Sequence, residues 1–364
     1  MKKLLTLLLS LVLVVSMLAA CGKKEDTKDS ANNTAPTTAP TATPAAANGD
    51  TTDTAAAAKT GLAVVSSIEK SANAGDADGL AEVDSTVAAV LVSEDGKILD
   101  CRIDAAQTKI NFSAEGKLVT DPATLFKTKQ ELGTEYGLGA KSPIGKEWNE
   151  QADAFAAYVI GKTIDEVKGI AVNEEGVATA ADLTSSVTIH IGDFVSAIDK
   201  AVANAQALGA ASTDKLGLAV TTDMGQSKDV SADGDGLAQA YSYYSAITAD
   251  AAGKITSCVI DASQGNVNFD AKGVITSDLK AAPQTKQELK EAYGMKAQSK
   301  IGKEWYEEAN AFAAYVTGKT LDEVNGIAVD EQGLATGADL VSSVTVHVAP
   351  FIGVVDKAVA NSAK

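Results

Sequence analysis

Hydrophobic and polar positions run through the same order of patterns twice along this chain. From Gly79 and Gly236 onward, the two copies keep a constant offset of 157 residues to the end of the sequence. Repetition over this length is typical of a duplicated domain, whereas solenoid repeats recur roughly every 20–50 residues. We therefore predict two homologous domains, over residues 61–208 and 216–364, which lie close together because their connection is short.

The first part of each repeat has the composition of β-strands. In the first repeat, β-branched and apolar runs over residues 85–119 are interrupted at Asp95-Gly96 and at Glu115-Gly116. Pairs of this kind between apolar runs predict hairpins, and hairpins in series predict an antiparallel sheet. The chain has one cysteine in each strand-like part, Cys101 and Cys258, which we expect to be small buried side chains.

The second part of each repeat has the spacing of helices. Thr128–Glu131 and Thr285–Glu288 both have the pattern of a capping box, which begins a helix. Apolar residues then recur at intervals of three and four along one predicted helical face: Trp148, Ala152, Phe155 and Val159. We therefore predict the α+β class, with an antiparallel sheet followed by helices in each domain.

A polar segment near the end of each repeat is almost unchanged between the copies. It reads DLTSSVTIH over residues 182–190 and DLVSSVTVH over residues 339–347. Its apolar positions fit a helix that continues into the next predicted helix, while the β-branched run at its end suits a strand. Pro350 favours a break after the segment, because proline is best tolerated in the first turn of a helix.

The N-terminus has the pattern of a secretion signal over residues 1–20. Two lysines precede an apolar run over residues 4–15, as is typical of a cleaved signal peptide. The sequence Leu-Ala-Ala before Cys21 resembles the lipobox of bacterial lipoproteins, which implies a lipid on Cys21; the alternative is an ordinary signal with an incidental cysteine. Residues 21–60 are rich in Thr, Ala, Pro and Asn and predict a disordered linker.

Charge and composition exclude several classes of function. The chain of 364 residues has a formal net charge of −17, which repels phosphate backbones, so we expect no nucleic-acid partner. Only two histidines and three cysteines are present, so the sequence predicts no metal site. No set of nucleophile, base and orienting group is visible, and we expect no catalytic residues.

The repeated polar segment resembles the signal of covalently flavinylated domains, including subunits of respiratory sodium pumps. That signal is Asp-x-x-Ser/Thr-Gly-Ala-Thr, and a secreted transferase joins its last threonine to the phosphate of FMN. By position, the resemblance implies two covalent FMN groups, on Thr188 and Thr345. The rest of the implied binding pattern is Asp182, Ser185, Ser186, Asp339, Ser342 and Ser343. The sequence departs from the signal where Ser-Val replaces Gly-Ala.

The order of lipobox, polar linker and two repeated domains is similar to flavin-binding lipoproteins of Gram-positive extracellular electron transfer. This resemblance implies an electron carrier that is not itself an enzyme, held at the extracellular face of the cell membrane by its lipid anchor alone. It also implies an FMN transferase, a membrane NADH dehydrogenase with its quinone pool, and extracellular acceptors such as ferric iron as partners.

One alternative function, and the roles of four residues, stay open at the level of sequence. The chain could be a non-redox surface lipoprotein that binds a ligand or a cell-wall component, with the polar segment as a turn before a helix. Four further residues have two interpretations. Trp148 and Trp305 could stack on a flavin, although their helical spacing favours core packing. His190 and His347 could act near the flavin, or they could be polar surface residues.

Overall fold

A computed structural model describes residues 55–363, and these residues have the predicted α+β fold. Two three-stranded antiparallel sheets are each followed by helices. The predicted signal peptide, Cys21 and the linker as far as residue 54 lie outside the described residues. None of the helices within residues 55–363 is long and apolar enough to cross a membrane.

The sheet of the first repeat is a meander with the strand order β1-β2-β3. Its strands are β1 (Ala58–Ser67), β2 (Gly79–Ser93) and β3 (Ile98–Phe112). The predicted hairpin at Asp95-Gly96 joins β2 to β3, and Gly96 adopts the positive φ of 82° that the turn requires. At Glu115-Gly116 the chain also turns, but it returns to β3 through one isolated bridge between Phe112 and Leu118.

Strand β1 begins inside the segment that the sequence predicts to be linker. Ala58 pairs with Ser93 of β2, and residues 58–60 are therefore part of the sheet. Ala58 and Thr60 are buried although neither is strongly apolar. The prediction ended the linker too late at this point, because pairing with a neighbouring strand outweighs weak local hydrophobicity.

Two of the four helices of the first repeat begin at a threonine capping box. The four helices are α1 (Lys129–Leu132), α2 (Trp148–Val159), α3 (Ile164–Lys168) and α4 (Gly192–Ala203), with a 3₁₀ turn over Gly133–Tyr136. Thr128 forms the predicted capping box at α1, and Thr163 forms another at α3. Both boxes satisfy backbone N–H groups that a helix start leaves unpaired.

The second repeat has the same succession of elements. Its strands are β4 (Lys215–Asp223), β5 (Gly236–Ala249) and β6 (Ile255–Phe269), in the order β4-β5-β6. Its helices are α5 (Lys286–Leu289), α6 (Trp305–Val316), α7 (Leu321–Asn325), α8 (Ala338–Val341) and α9 (Ala349–Ser362), with a 3₁₀ turn over Lys290–Tyr293. Pro350 lies in the first turn of α9, so the predicted break before this helix is confirmed.

One face of each sheet packs against the helices of its own repeat. In the first repeat, α2 presents the predicted apolar face, and all four of its predicted residues are buried. Helix α4 closes over β1 and approaches it closely at Gly61, where an added Cβ would lie 2.0 Å from the carbonyl oxygen of Ala201. Glycine is therefore required at Gly61 by helix–strand distance. Cys101 and Cys258 are buried and free, as predicted.

The opposite faces of the two sheets pack against each other. One cluster joins Leu62, Val87 and Leu91 to Leu218 and Tyr244 across the sheet pair. At the other end of the sheets, the fully buried rings of Phe112 and Phe269 stack with centroids 4.2 Å apart. The two repeats therefore share a hydrophobic core, in addition to the core that each sheet forms with its own helices.

Two reciprocal ion pairs also connect the repeats. Lys200 of α4 lies 2.5 Å from Glu288, and the equivalent Lys357 of α9 lies 2.8 Å from Glu131. Each of these contacts pairs the last helix of one repeat with the capping box of the other. Reciprocal contacts of this kind are typical of two-fold related surfaces, so the repeats present equivalent surfaces to each other.

Candidate functional site

The repeated polar segment forms a turn that is anchored by apolar residues. In the first repeat, Leu183, Val187 and Ile191 are buried at intervals of four residues. Asp182 precedes the first of these buried residues and Ser185 lies between the first two, and both are exposed. In the first repeat the segment is neither a strand nor a continuation of α4, which begins at Gly192, and in the second repeat its first three residues belong to α8. The backbone therefore buries the apolar positions and leaves the polar side chains near the surface.

Thr188 is held by a glutamine of helix α2. The backbone N–H of Thr188 donates to Gln151 Oε1 at 2.8 Å, and the Thr188 hydroxyl lies 3.2 Å from the same oxygen. Gln151 is fully buried, and its Nε2 donates to the Ser142 hydroxyl and to the Lys146 carbonyl oxygen. Because Nε2 has two acceptors, the carbonyl end of the amide faces Thr188.

Thr345 has a glutamate in the equivalent place. The backbone N–H of Thr345 donates to Glu308 Oε2 at 2.6 Å, and the Thr345 hydroxyl lies 3.1 Å from both carboxylate oxygens. Val346 N–H and the Ser299 hydroxyl also donate to this carboxylate, at 3.0 and 2.8 Å. Glu308 is fully buried, and these hydrogen bonds compensate the loss of water around its carboxylate.

The leading aspartate of each segment faces a tyrosine. The hydroxyl of Tyr158 lies 3.5 Å from Asp182, and that of Tyr315 lies 3.4 Å from Asp339. These distances are long, so both hydrogen bonds are weak. Partial burial and then the neighbouring Asp182 carboxylate raise the pKa of Tyr158. In both repeats a lysine also lies over the tyrosine ring, as Lys162 does at 4.4 Å.

The serines of the segment have different environments. Ser185 and Ser342 are exposed. Ser186 and Ser343 are partly buried, and their hydroxyls each donate at 3.1 Å to the carbonyl oxygen three residues earlier. Ser186 and Ser343 therefore close the turn from inside, while Ser185 and Ser342 are accessible to another protein.

The histidines of the segment are exposed, whereas the two tryptophans are buried. His190 and His347 are exposed, and each forms an isolated β-bridge to the strand-like segment before it. Trp148 and Trp305 are 6% and 3% exposed, and each packs edge-on against a phenylalanine of the last helix at 5.6 Å. This burial agrees with core packing of the two indoles and leaves little ring surface for a flavin.

Two buried polar residues at the segment are absent from the sequence-based site, namely Gln151 and Glu308. A signal for them is present in the sequence. Each interrupts the apolar face of its helix, directly before a buried alanine. The two residues occupy equivalent positions, and it is at this position that the buried face differs in charge between the repeats. A polar residue in an apolar register indicates a buried hydrogen-bonding partner.

Other polar groups lie where the repeats meet, away from the threonines. Asp104 and Asp261 are buried, and each accepts a hydrogen bond from the first-turn backbone of α1 or α5. Asp104 borders a groove of about 320 Å³ and Asp261 borders one of about 370 Å³. Within the described part of the chain, no group of three or more His, Cys, Asp or Glu side chains is arranged to hold a metal ion.

Comparisons with known proteins give no relative for this chain. No protein-family model, no curated protein and no solved structure matches it.

Proposed function

We propose that this protein is an extracellular electron carrier with FMN joined covalently to Thr188 and Thr345. The observation that supports the proposal is the matched placement of the two threonines. Each lies in the same turn, directly after a buried valine, with its hydroxyl against a buried side chain of the preceding long helix. A turn kept in this form in both repeats fits a shared chemical use.

The residues of the segment fit attachment of a flavin phosphate. A phosphoester requires a hydroxyl that an external transferase can reach, and both threonines are only partly buried. The exposed Asp182 and Ser185, with Asp339 and Ser342 in the second repeat, offer a recognition surface around them. Threonine also restricts χ1, which limits the directions in which an attached group can extend.

The chain would position the cofactor, and the isoalloxazine ring would supply the electron transfer. Outside a cell, a cofactor held without a covalent bond is lost once its free concentration falls below its Kd. A covalent ester removes this loss. The buried amide of Gln151 and the buried carboxylate of Glu308 would fix the threonine backbone through its N–H, so that the point of attachment does not shift.

The remaining parts of the proposal come from the sequence resemblance. A lipid on Cys21 would hold the protein at the outer face of the membrane, and the linker would separate the folded part from the lipid. The electron donor would be a membrane NADH dehydrogenase acting through quinone, and the acceptor an extracellular oxidant such as ferric iron.

Intact mass spectrometry tests the attachment sites. The mature chain is incubated with an FMN transferase and its flavin donor, and two FMN-sized increments are expected. Thr188→Ala and Thr345→Ala should each remove one increment, and the double variant should remove both. Thr184→Ala is the matched control, because Thr184 lies in the same segment and is exposed; it should keep both increments.

A second measurement separates lost attachment from lost folding. Alanine keeps the backbone N–H that bonds to Gln151 or Glu308, so the variants should retain the thermal stability of the parent within a few degrees. An unmodified mass for the parent chain, under conditions in which a known substrate of the transferase is modified, would exclude the proposal. Retention of both increments in the double variant would exclude these two threonines.

The grooves between the repeats favour one alternative function. Both grooves have an aspartate, a glutamine and a glutamate at equivalent positions, as in Asp104, Gln130 and Glu131 of the first. A non-redox lipoprotein could bind a small polar or cationic ligand there. Saturable binding of such a ligand by a chain that stays colourless with the transferase would favour this alternative.

A further inference from the structure

The two attachment threonines have the same backbone setting but different chemical partners. Gln151 and Glu308 occupy equivalent positions of α2 and α6, and both are fully buried against the threonine. We infer that Glu308 accepts the proton of the Thr345 hydroxyl, so that Thr345 receives the flavin phosphate faster than Thr188. This inference rests on the proposed function and specifies how its two sites differ.

The geometry places a proton acceptor at the reacting oxygen of the second repeat. The Thr345 hydroxyl lies 3.1 Å from both carboxylate oxygens of Glu308, within the range for proton transfer by a positioned base. At Thr188 the corresponding acceptor is the amide oxygen of Gln151, at 3.2 Å. A carboxylate can take up a proton, whereas a neutral amide accepts a hydrogen bond but is not a useful base.

The other contacts of Glu308 keep its carboxylate oriented. Val346 N–H, Thr345 N–H and the Ser299 hydroxyl all donate to it. These donors suit an ionised carboxylate, which accepts hydrogen bonds at both oxygens and donates none. They also hold both oxygens toward the threonine, so no side-chain rotation is needed before the proton moves.

The reaction balances with a flavin dinucleotide as the donor. The Thr345 oxygen forms a bond to the phosphorus that bears the flavin, and the bond from that phosphorus to the bridging oxygen of the pyrophosphate breaks. The nucleoside monophosphate leaves with the electron pair, and the threonine proton passes to Glu308. No group is oxidised or reduced. Protonation of Glu308 also removes a like charge that would otherwise face the new phosphodiester.

The first repeat shows that glutamine is accommodated at this position. Gln151 satisfies its amide with the Ser142 hydroxyl and the Lys146 carbonyl oxygen, and the second repeat has the equivalent Ser299 and Lys303. Glu308→Gln can therefore adopt the hydrogen bonds seen in the first repeat. It removes the base while it retains the size of the side chain.

Site-resolved rates of flavinylation test the inference. The parent chain, Glu308→Gln, Gln151→Glu and the variant with both exchanges are each treated with transferase and flavin dinucleotide. Samples taken over time are digested, and the modified fraction of each threonine is measured by mass spectrometry. General bases contribute about 10²–10⁴-fold to rates, and because the transferase supplies its own groups we expect about tenfold or more between Thr345 and Thr188.

The expected pattern is an exchange of order between the two sites. Glu308→Gln should slow Thr345 to the rate of Thr188, Gln151→Glu should accelerate Thr188, and the double exchange should reverse the order. A purely structural role of Glu308 would not accelerate Thr188 when Gln151 is replaced by glutamate.

The contrary results are distinguishable from failure of the proposed function. Equal rates at both threonines in the parent chain, or an unchanged rate at Thr345 in Glu308→Gln, would overturn the inference while flavinylation itself stands. If neither threonine of the parent is modified while a known substrate is, the proposed function fails and the inference fails with it.

Discussion

The stacked rings between the two sheets allow a test of whether the repeats unfold together. Phe112 belongs to the first repeat and Phe269 to the second, and their rings are fully buried with centroids 4.2 Å apart. Phe269→Ala would leave a cavity that both repeats line. We predict that it destabilises the first repeat as much as the second, because the core between the sheets is common to both.

The expected loss follows from the burial of the ring. Replacing a fully buried phenylalanine by alanine costs about 3–5 kcal/mol, of which the stacked pair with Phe112 contributes about 0.5–1.5 kcal/mol. At about 2.1 cal/mol/K per residue, a folded part of roughly 310 residues unfolds with an entropy of about 0.65 kcal/mol/K. A loss of about 4 kcal/mol therefore lowers the Tm by about 6 °C.

Each repeat has one tryptophan, which provides a local probe of unfolding. Trp148 and Trp305 are both buried in the helix-side cores, so their fluorescence should shift to longer wavelength when their own repeat unfolds. Phe269→Ala is measured by urea and thermal denaturation in two backgrounds, Trp148→Phe and Trp305→Phe. Each background reports on one repeat, and each is compared with its own parent.

One coincident transition is expected with both probes, shifted by the same amount in Phe269→Ala. Val274→Ala serves as the control in the same repeat, because this side chain is 42% exposed and should change stability by no more than about 0.5 kcal/mol. If the Trp305 signal shifts while the Trp148 signal keeps the midpoint of its parent, the repeats unfold separately and the argument for a common core is refuted.

Two further predictions concern buried groups. Burial raises the pKa of Asp104 to about 6 and that of Asp261 to about 7, whereas both are near 3.9 in the unfolded chain. The folded state therefore binds more protons than the unfolded state between about pH 4 and 7. The free energy of unfolding should consequently fall as the pH rises through this window. Asp104→Asn should remove its part of this slope, about 1.4 kcal/mol between pH 5 and pH 8, measured by urea denaturation at these two pH values, and an unchanged slope would contradict the assignment. Gly61→Ala would place a Cβ 2.0 Å from the Ala201 carbonyl oxygen and should lower the free energy of unfolding by about 1–3 kcal/mol or more. Gly75→Ala is the control, because its Cβ would meet open space, and it should be nearly neutral when both variants are compared by thermal denaturation.

Features that depend on a few neighbouring residues are predictable from the sequence. The capping boxes at Thr128 and Thr285 form as predicted, since both hydrogen bonds of each box lie within four residues. The hairpin at Asp95-Gly96 forms for the same reason, because glycine supplies the positive φ of the turn. In these cases the local chemistry and the final fold favour the same conformation.

The core between the sheets is not determined by local pattern. The run STVAAVLV in β2 is nearly continuous in apolar and small residues, which indicates burial on both faces of a strand. The sequence does not state what covers the second face. Only the structure shows that the other repeat does so, and this pairing depends on residues about 157 positions apart, such as Phe112 and Phe269.

The difference between Gln151 and Glu308 shows why the repeated motif gives an incomplete description of the site. The segments around Thr188 and Thr345 agree at every polar position that the flavin signal uses, so the motif treats the two threonines as equivalent. Their hydroxyls nevertheless face an amide in one repeat and a carboxylate in the other, from a helix 37 residues earlier in the chain. Because the backbone around the two threonines is alike, each repeat serves as the control for the other, and a difference in their reactivity would be attributable to that one side chain.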